Sequence, residues 1–354
     1  MANLAKELGD SKMAKKVKMA DIAASLNVST VTVSKALSGQ KGVSEDMREK
    51  IKNLADQLGY KQPSPVNNKK KSKSKNIGII VPDRYFGKFE SFYWQMYQEV
   101  TTKAVHEECF TMLEVINNED ENEQELPKLI KENKVDGVIL IGRPQNGYIQ
   151  KIREDGSVPL VCLDFFDEFS NCDSVISDGF YGSYMLTNYL FNMGHEEIAY
   201  VGTLLYTSSI TDRYLGYCKS MMEHKKKLVE EWVIDDRDWD SGDVNIFDMK
   251  FPVQMPTAFV CNSDLSASVL IKNLRNRNLK VPQDISVVGF DNFLYPGLCD
   301  IGITTYDVNV KEMASKSINV LLKKINHGVY KSGVRVIEGE IVYKDSVYDR
   351  RNMK

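Results

Sequence analysis

Residues 19–37 read MADIAASLNVSTVTVSKAL. Ile22, Ala23 and Leu26 fall at i, i+1 and i+4, the spacing of a short helix with one buried face. Asn27 tolerates the left-handed backbone that a sharp turn needs, and Ser29 is a good N-cap for a second helix over Thr30–Leu37. On that helix Val33, Ala36 and Leu37 share one face, while Val31, Ser34 and Lys35 project from the other. Two short helices joined by a tight turn predict a helix-turn-helix. A third helix is expected from Ser44, its hydroxyl capping a first turn that carries Glu45 and Asp46. Its buried face uses Met47, Ile51, Leu54, Ala55 and Leu58 before Gly59 ends it. The exposed face of the second helix is small and polar with one cation, which suits a major groove about 12 Å wide. Val31 stands out there as an apolar residue able to meet a thymine methyl. A plain helical hairpin is the competing reading, and a lone surface valine usually signifies nothing.

Charge separates this segment from the rest. The 354 residues carry a net charge of −3, but residues 1–75 hold 16 Lys+Arg against 7 Asp+Glu, a balance of +9, and the remainder stands at −12. A small basic segment ahead of a large acidic body points to a polyanion as the partner of the first part. At roughly 100–200 residues per domain the length allows two or three domains. No apolar run approaches the ~18 residues of a membrane span. The N-terminus lacks the apolar core of a secretory signal, so a cytoplasmic protein is expected. Cys109, Cys162, Cys172, Cys218, Cys261 and Cys299 show no paired spacing, and four histidines form no metal-binding motif. Reduced thiols, no metal site and no cofactor are the economical reading.

From Asn76 onward, apolar runs rich in Ile and Val alternate with helical stretches: NIGIIVP from Asn76, KVDGVILIG from Lys134, VPLVCLDF from Val158, DSVISD from Asp173, EIAYVGT from Glu197, PTAFVCNSD from Pro256 and DISVVGFDN from Asp284. Continuous apolar strands separated by helices predict parallel sheets covered on both faces. Phe92, Met96, Val100 and Ala104 recur at i+4, and residues 181–193 read as another amphipathic helix. Ligands in such folds sit at the carboxyl ends of strands. Those ends carry Asp83, Arg143, Asp164, Asp178, Asp264 and Asp291. A single strand-end aspartate is more often a cap or turn residue. Six such polar groups, five aspartates and Arg143, with Arg213 and the aromatic cluster Phe92, Tyr93 and Trp94, point to a polar, aromatic-lined cleft suited to a sugar or similar polyol. Phe92 lies on its helix's apolar stripe and is expected in the core.

Residues 17–60, VKMADIAASLNVSTVTVSKALSGQKGVSEDMREKIKNLADQLGY, resemble the DNA-binding headpiece of the lactose-repressor family of bacterial transcription factors, notably in DIA, NVS, TVSKAL, GVSEDMREKI and LGY. The resemblance implies Thr30, Val31 and Lys35 as base readers, with Ser29, Thr32, Ser34 and Ser38 addressing phosphates. Lys18 stands where the family has a Thr or Ser cap, and Lys35 where it commonly has Arg. Lysine lacks the planar fork that matches guanine, so weaker discrimination is expected at that base. The family's usual start falls near Met13. In residues 61–75 the family folds a hinge helix on DNA whose leucine wedges the minor groove. Here Lys69 occupies that leucine's place, amid five lysines in seven residues. A polybasic hinge that grips phosphates, binds with steep salt dependence and bends DNA less is expected.

PTAFVCNSDLSASVLIKNL, VPQDISVVGFDN and MGHEEIAYVGT resemble the family's effector domain, which is similar to periplasmic sugar-binding proteins. The implied architecture is a small all-α helix-turn-helix headpiece at 17–60, the hinge at 61–75, and an α/β effector domain at 76–350 of two doubly wound parallel-sheet subdomains. Subdomain one is expected at 76–173 plus 303–333 and subdomain two at 174–302 plus 334–350, with crossovers near Asp173, Ile303 and Val334. Carried over by position, the effector-binding residues are Tyr93, Asp164, Asp178, Ser209, Arg213, Trp239 and Asp264. The expected function is that of a homodimeric, DNA-binding transcriptional repressor whose affinity for a pseudo-palindromic double-stranded operator is set by a small molecule, a sugar first. The same fold sensing a nucleoside or a protein partner is the alternative, and a non-catalytic sugar-binding protein a further one. Against an enzyme, the chain has no GxSxG, P-loop, GxGxxG or metal spacing, and His195 sits at a helix stop where a structural role is expected.

Overall fold

The structure, a computed structural model, describes residues 17–58, 60, 74–86, 91–145, 147–167, 172–239, 242, 244, 249–294, 297–327 and 331–351. The chain divides into two units, residues 1–73 and 74–354.

In the first unit, α1 (Met19–Ser25), α2 (Thr30–Leu37) and α3 (Glu45–Gln57) pack around Ile22, Ala23, Val33, Ala36, Ile51 and Ala55. Asn27 takes the turn at φ +49°. Two local expectations are corrected. Ser44 stands at the N-cap of α3 in extended conformation, but its hydroxyl makes no capping bond; it is exposed, where water can satisfy the first N–H groups. Leu58 is 38% exposed, because α3 has ended before it. Without a hydroxyl at Lys18, α1 begins on half a capping box: Asp21 Oδ2 accepts from the Lys18 backbone N–H at 2.7 Å. Arg48 of α3 donates to the carbonyls of Ala36 (3.2 Å) and Gln40 (2.9 Å), which fastens the C-terminal end of α2. Arg48→Ala is expected to cost about 1–3 kcal/mol by removing two hydrogen bonds from a charged donor, read as an earlier melting of the headpiece helices by circular dichroism.

The second unit runs β1 (Asn76–Pro82), α4 (Phe92–His106), β2 (Phe110–Ile116), α5 (Asn118–Asn122), α6 (Lys128–Lys131), β3 (Gly137–Ile141), α7 (Tyr148–Asp155), β4 (Leu160–Leu163) and β5 (Asp173–Ser177). It continues through α8 (Gly179–Asn192), β6 (Ile198–Val201), α9 (Ser208–Glu223), β7 (Val233–Ile234), β8 (Ala258–Cys261), α10 (Asp264–Asn276) and β9 (Ser286–Asp291). Then come β10 (Thr304–Asp307), α11 (Val310–His327), β11 (Val334–Ile337) and β12 (Glu340–Val342). Two six-stranded sheets result, ordered β11-β5-β4-β3-β1-β2 and β12-β10-β9-β8-β6-β7. All pairings are parallel except β10 with β12. The central strands β3, β4, β6 and β8 are buried throughout, as their unbroken apolar runs require. Met96, Val100 and Ala104 are buried on α4, and Phe92 packs against the same core.

The crossovers lie later than expected, at Asp178, at 308–309 and at 338–339. Each of Asp173, Ile303 and Val334 still belongs with the sheet the chain is about to leave. Asp173 is fully buried in β5 and pinned by Lys324 (3.0 Å) of α11, which packs on the first sheet, and by Arg335 (2.6 Å) of β11. Thr304 pairs with Val288, and Val334 with Ser174. Changing sheets earlier would strip these strands of ladder bonds, so the chain crosses only at their carboxyl ends. His195 is buried, with Nδ1 3.1 Å from the Thr257 hydroxyl and Nε2 3.1 Å from the Tyr348 carbonyl. Burial lowers it to about 4, and it joins a helix end to the C-terminal segment far from the cleft groups described below.

Candidate functional site

Two surfaces carry chemistry. On α2 the Ser29 hydroxyl accepts from the Thr32 backbone N–H at 3.1 Å and lies 2.9 Å from the Thr32 hydroxyl. This fixes the start of the helix and aims its first turn outward. Thr30, Val31, Ser34, Lys35 and Ser38 are exposed, Val31 to 60%, while Val33 and Ala36 are buried. The Ser38 hydroxyl is turned back on the Ser34 carbonyl at 2.7 Å. The helix therefore presents one continuous face of short polar groups, one cation and one wholly apolar side chain, Val31. Lys69, with residues 61–73 of the 61–75 hinge, lies outside the described residues.

The second surface lies between the two sheets, where strand ends face one another. Arg213, on the first turns of α9 and 6% exposed, donates to the Asn262 carbonyl and to Asp291 Oδ1 at 3.1 Å. Its guanidinium stacks 3.9 Å from the centroid of Phe290. Asp291 ends β9 with φ +96° and Asp164 follows β4 with φ +69°, left-handed turns that swing each carboxylate off its strand. Burial pushes Asp164 up to about 7; Arg213 opposes this, Asp291 adds to it, and a hydrogen bond from Tyr93 opposes it. Tyr93, on α4, packs on Tyr85 with ring centroids 4.4 Å apart. Burial, then Asp164, raises its phenol well above the ordinary value. Tyr93, Asp164, Arg213 and Asp291 thus form one group drawn from both sheets.

The remaining expected residues fall at different distances from it. Ser209 lies with Asp164 on a small cavity of about 10 Å³, room for a single water. Asp178 caps α8, accepting from the Tyr181 N–H at 2.9 Å. Trp239 is 57% exposed and packs edge-on to Tyr206 at 5.8 Å. Asp264, 2% exposed, is turned toward β9 and β10: a Cβ on Gly289 would meet its Oδ1 at 2.0 Å, and Thr305 hydrogen-bonds it. Burial raises it well above the carboxylate range.

Several residues of this region escaped the pocket assignment. Asp236 is fully buried and accepts from Thr203 N (2.9 Å), Asn262 Nδ2 (2.7 Å), Arg237 (2.8 Å) and the Ser266 hydroxyl. Burial alone would raise it, but Arg237, Ser266 and Asn262 outweigh burial and hold it far below the carboxylate range. The network aims Arg237 toward Tyr206, 5.5 Å from its ring centroid. Asp291 was visible as a strand-end aspartate; Asp236 and Arg237 follow a strand of only two residues, too short for any periodicity to announce. A separate concavity of about 480 Å³ lies along the second and third crossovers, lined by Glu99, Asp307, Lys311, Glu338 and Glu340; it belongs to the hinge between the sheets.

Residues 18–63 match the model described as bacterial regulatory proteins, lacI family, and residues 187–347 that of a periplasmic binding protein-like domain. The chain is 31% identical over 339 residues to the HTH-type transcriptional regulator RegA of Clostridium saccharobutylicum, covering 92% of this chain and 98% of RegA. Among solved structures, a complex of the transcriptional regulator CelR with cellobiose superposes with a TM-score of 0.64 at 20% identity, covering 93% of this chain and 99% of that one. The lac repressor dimer bound to operator and the anti-inducer ONPF gives 0.63 at 19% identity, covering 94% and 100%.

Proposed function

The chain belongs to the lacI family of bacterial regulatory proteins, and from that premise we propose that it is a homodimeric repressor whose grip on a pseudo-palindromic operator is set by a small polyol, a sugar first. It is a DNA-binding transcriptional regulator with a ligand-binding effector domain. The observation that carries the reading is the convergence of Tyr93 and Asp164 with Arg213 and Asp291 from the opposing sheet. A ligand held by both halves favours one arrangement of the two sheets, and such coupling is worth ~1–3 kcal/mol in typical allosteric systems. Carboxylates and guanidinium facing hydroxyls, with tyrosine rings beside them, match a polyol. The relative CelR was solved with cellobiose, which supports the sugar class. Regulation, with no turnover, is the activity we assign. Among the described residues no helix is long and apolar enough to cross a membrane.

Symmetric half-sites call for a two-fold dimer. The edge strand β2 and the end of α4 expose Phe110 (65%), Val105 (63%), Val115, Leu113 and Met112, an apolar edge that a monomer would have to protect. We assign it to the dimer. Val105→Glu with Phe110→Lys is expected to shift the protein toward monomer in sedimentation and to weaken operator binding by about tenfold or more.

Selection of genomic fragments by the full-length protein tests the whole proposal. One shared pseudo-palindrome is the expected result. Retention of fragments without a common motif would show that the headpiece holds only phosphates, and would remove specific repression.

A further inference from the structure

Cys162 and Cys172 stand on either side of the loop that joins β4 to β5 and meet in the first sheet. The two strands pair in parallel with Cys162 opposite Ser174. Cys172, two residues before Ser174, therefore has its side chain on the same face of the sheet. That face is covered by α7: Cys162 belongs to the cluster of Tyr148, Ile149 and Ile152, and Cys172 packs against it. The Cys162 thiol hydrogen-bonds with the Cys172 thiol and with the Ser174 hydroxyl. Cys162 is fully buried and Cys172 half-buried, and both are reduced.

We propose that Cys162 and Cys172 are an oxidation site, a thiol pair that hydrogen peroxide converts to a disulfide clasping the β4–β5 loop at its base. Asp164 stands two residues beyond Cys162, so the clasp is set on the segment that carries Asp164 into the cleft. The half-buried Cys172 is the thiol that peroxide reaches. Its sulfur attacks one peroxide oxygen, the O–O bond breaks, and a sulfenic acid and one water result. The Cys162 sulfur then displaces hydroxide from the Cys172 sulfur, forming the S–S bond, and the Cys162 proton leaves with that hydroxide as a second water. Two thiols are oxidised and one peroxide is reduced. The Cys172 thiol, then burial, raises Cys162 well above the ordinary thiol value, and the Ser174 hydroxyl opposes them. Cys162 thus stays a thiol until its neighbour is oxidised, and contact between the two sulfurs makes the second step fast.

The test is mass spectrometry of the reduced, folded full-length protein after hydrogen peroxide, at a dose that converts the exposed Met222 to its sulfoxide. Cleavage after Glu168, which lies between the two cysteines, is expected to leave the Cys162 and Cys172 peptides joined and lighter by two hydrogens. Dithiothreitol is expected to separate them. In Cys172→Ser no such bond forms. In Cys162→Ser the Cys172 sulfenic acid has no thiol to consume it, and its dimedone adduct is expected to exceed that of the wild type by about fivefold or more. Unchanged thermal melting verifies the fold of each variant, and either variant alone carries the comparison. Oxidised Met222 with the two peptides unjoined overturns the proposal. So does a dimedone adduct on Cys172 as abundant in the wild type as in Cys162→Ser, or a bond found only between two copies of the chain. None of these outcomes bears on the ligand-controlled reading above.

Discussion

Asp236→Ala lowers the stability of the two-sheet unit by about 3–5 kcal/mol, the cost of removing one partner of a buried ion pair. Asp236 is fully buried and ties three stretches of chain together: Thr203 beyond β6, its own neighbour Arg237 beyond β7, and Asn262 with Ser266 where β8 leads into α10. Removing the carboxylate strands the Arg237 guanidinium in a site 16% exposed, and leaves the Asn262 amide and the Thr203 N–H short of an acceptor. Asp236→Asn is expected to lose less, because the amide keeps an acceptor oxygen while the charge is lost. The pH dependence has a definite sign. The folded state holds Asp236 below its unfolded value, so its contribution is complete above the unfolded carboxylate range, about pH 4. It is lost as pH falls through the depressed folded value. Scanning calorimetry of wild type and Asp236→Asn from neutral to acid pH reads this directly: the melting temperatures converge as the pH drops. Equal melting temperatures at neutral pH would show the network to be ornamental.

The second large effect is on DNA. Replacing Thr30, Val31 and Lys35 together by Ala is expected to weaken operator binding by about two to four orders of magnitude, since each good base contact contributes about 1–3 kcal/mol. All three are exposed, and the α1–α3 core of Ile22, Val33, Ala36 and Ile51 does not include them. The headpiece should therefore melt as before. Binding to unrelated DNA should fall much less, because the phosphate contacts proposed for Ser29, Thr32, Ser34 and the lysines of the hinge are left in place. Fluorescence anisotropy on operator and scrambled duplexes at two salt concentrations separates the two effects. A proportional loss on both duplexes would mean that α2 contributes charge and no base readout. Lys35→Arg offers the converse: a planar fork at that position is expected to sharpen discrimination at one base of each half-site.

Much of this molecule is written in short windows of its sequence. The apolar spacing of Ile22, Ala23 and Leu26, the cap at Ser29 and the face of Val33 and Ala36 specify α1 and α2 within a residue or so, because helix formation depends on neighbours three and four positions away. The Ile and Val runs that became β1, β3, β4, β6, β8 and β9 are equally local. Strands with mixed exposure were hidden: β2 carries Glu114 among its apolar residues and lies at a sheet edge, and β7 has two residues. What only the tertiary structure decided is which strand-end groups meet. Asp264 and Asp291 look alike in sequence, each closing or following a buried apolar run. The order of the second sheet turns Asp264 into the packing beside Gly289 and Thr305, while a left-handed turn brings Asp291 to Arg213. The same holds for the crossovers, which depend on ladder partners far away in the chain, and for Asp236, whose burial exists only once three stretches of chain have been brought together. Local periodicity determines the elements; long-range pairing and the cost of leaving a buried charge unmatched determine the site.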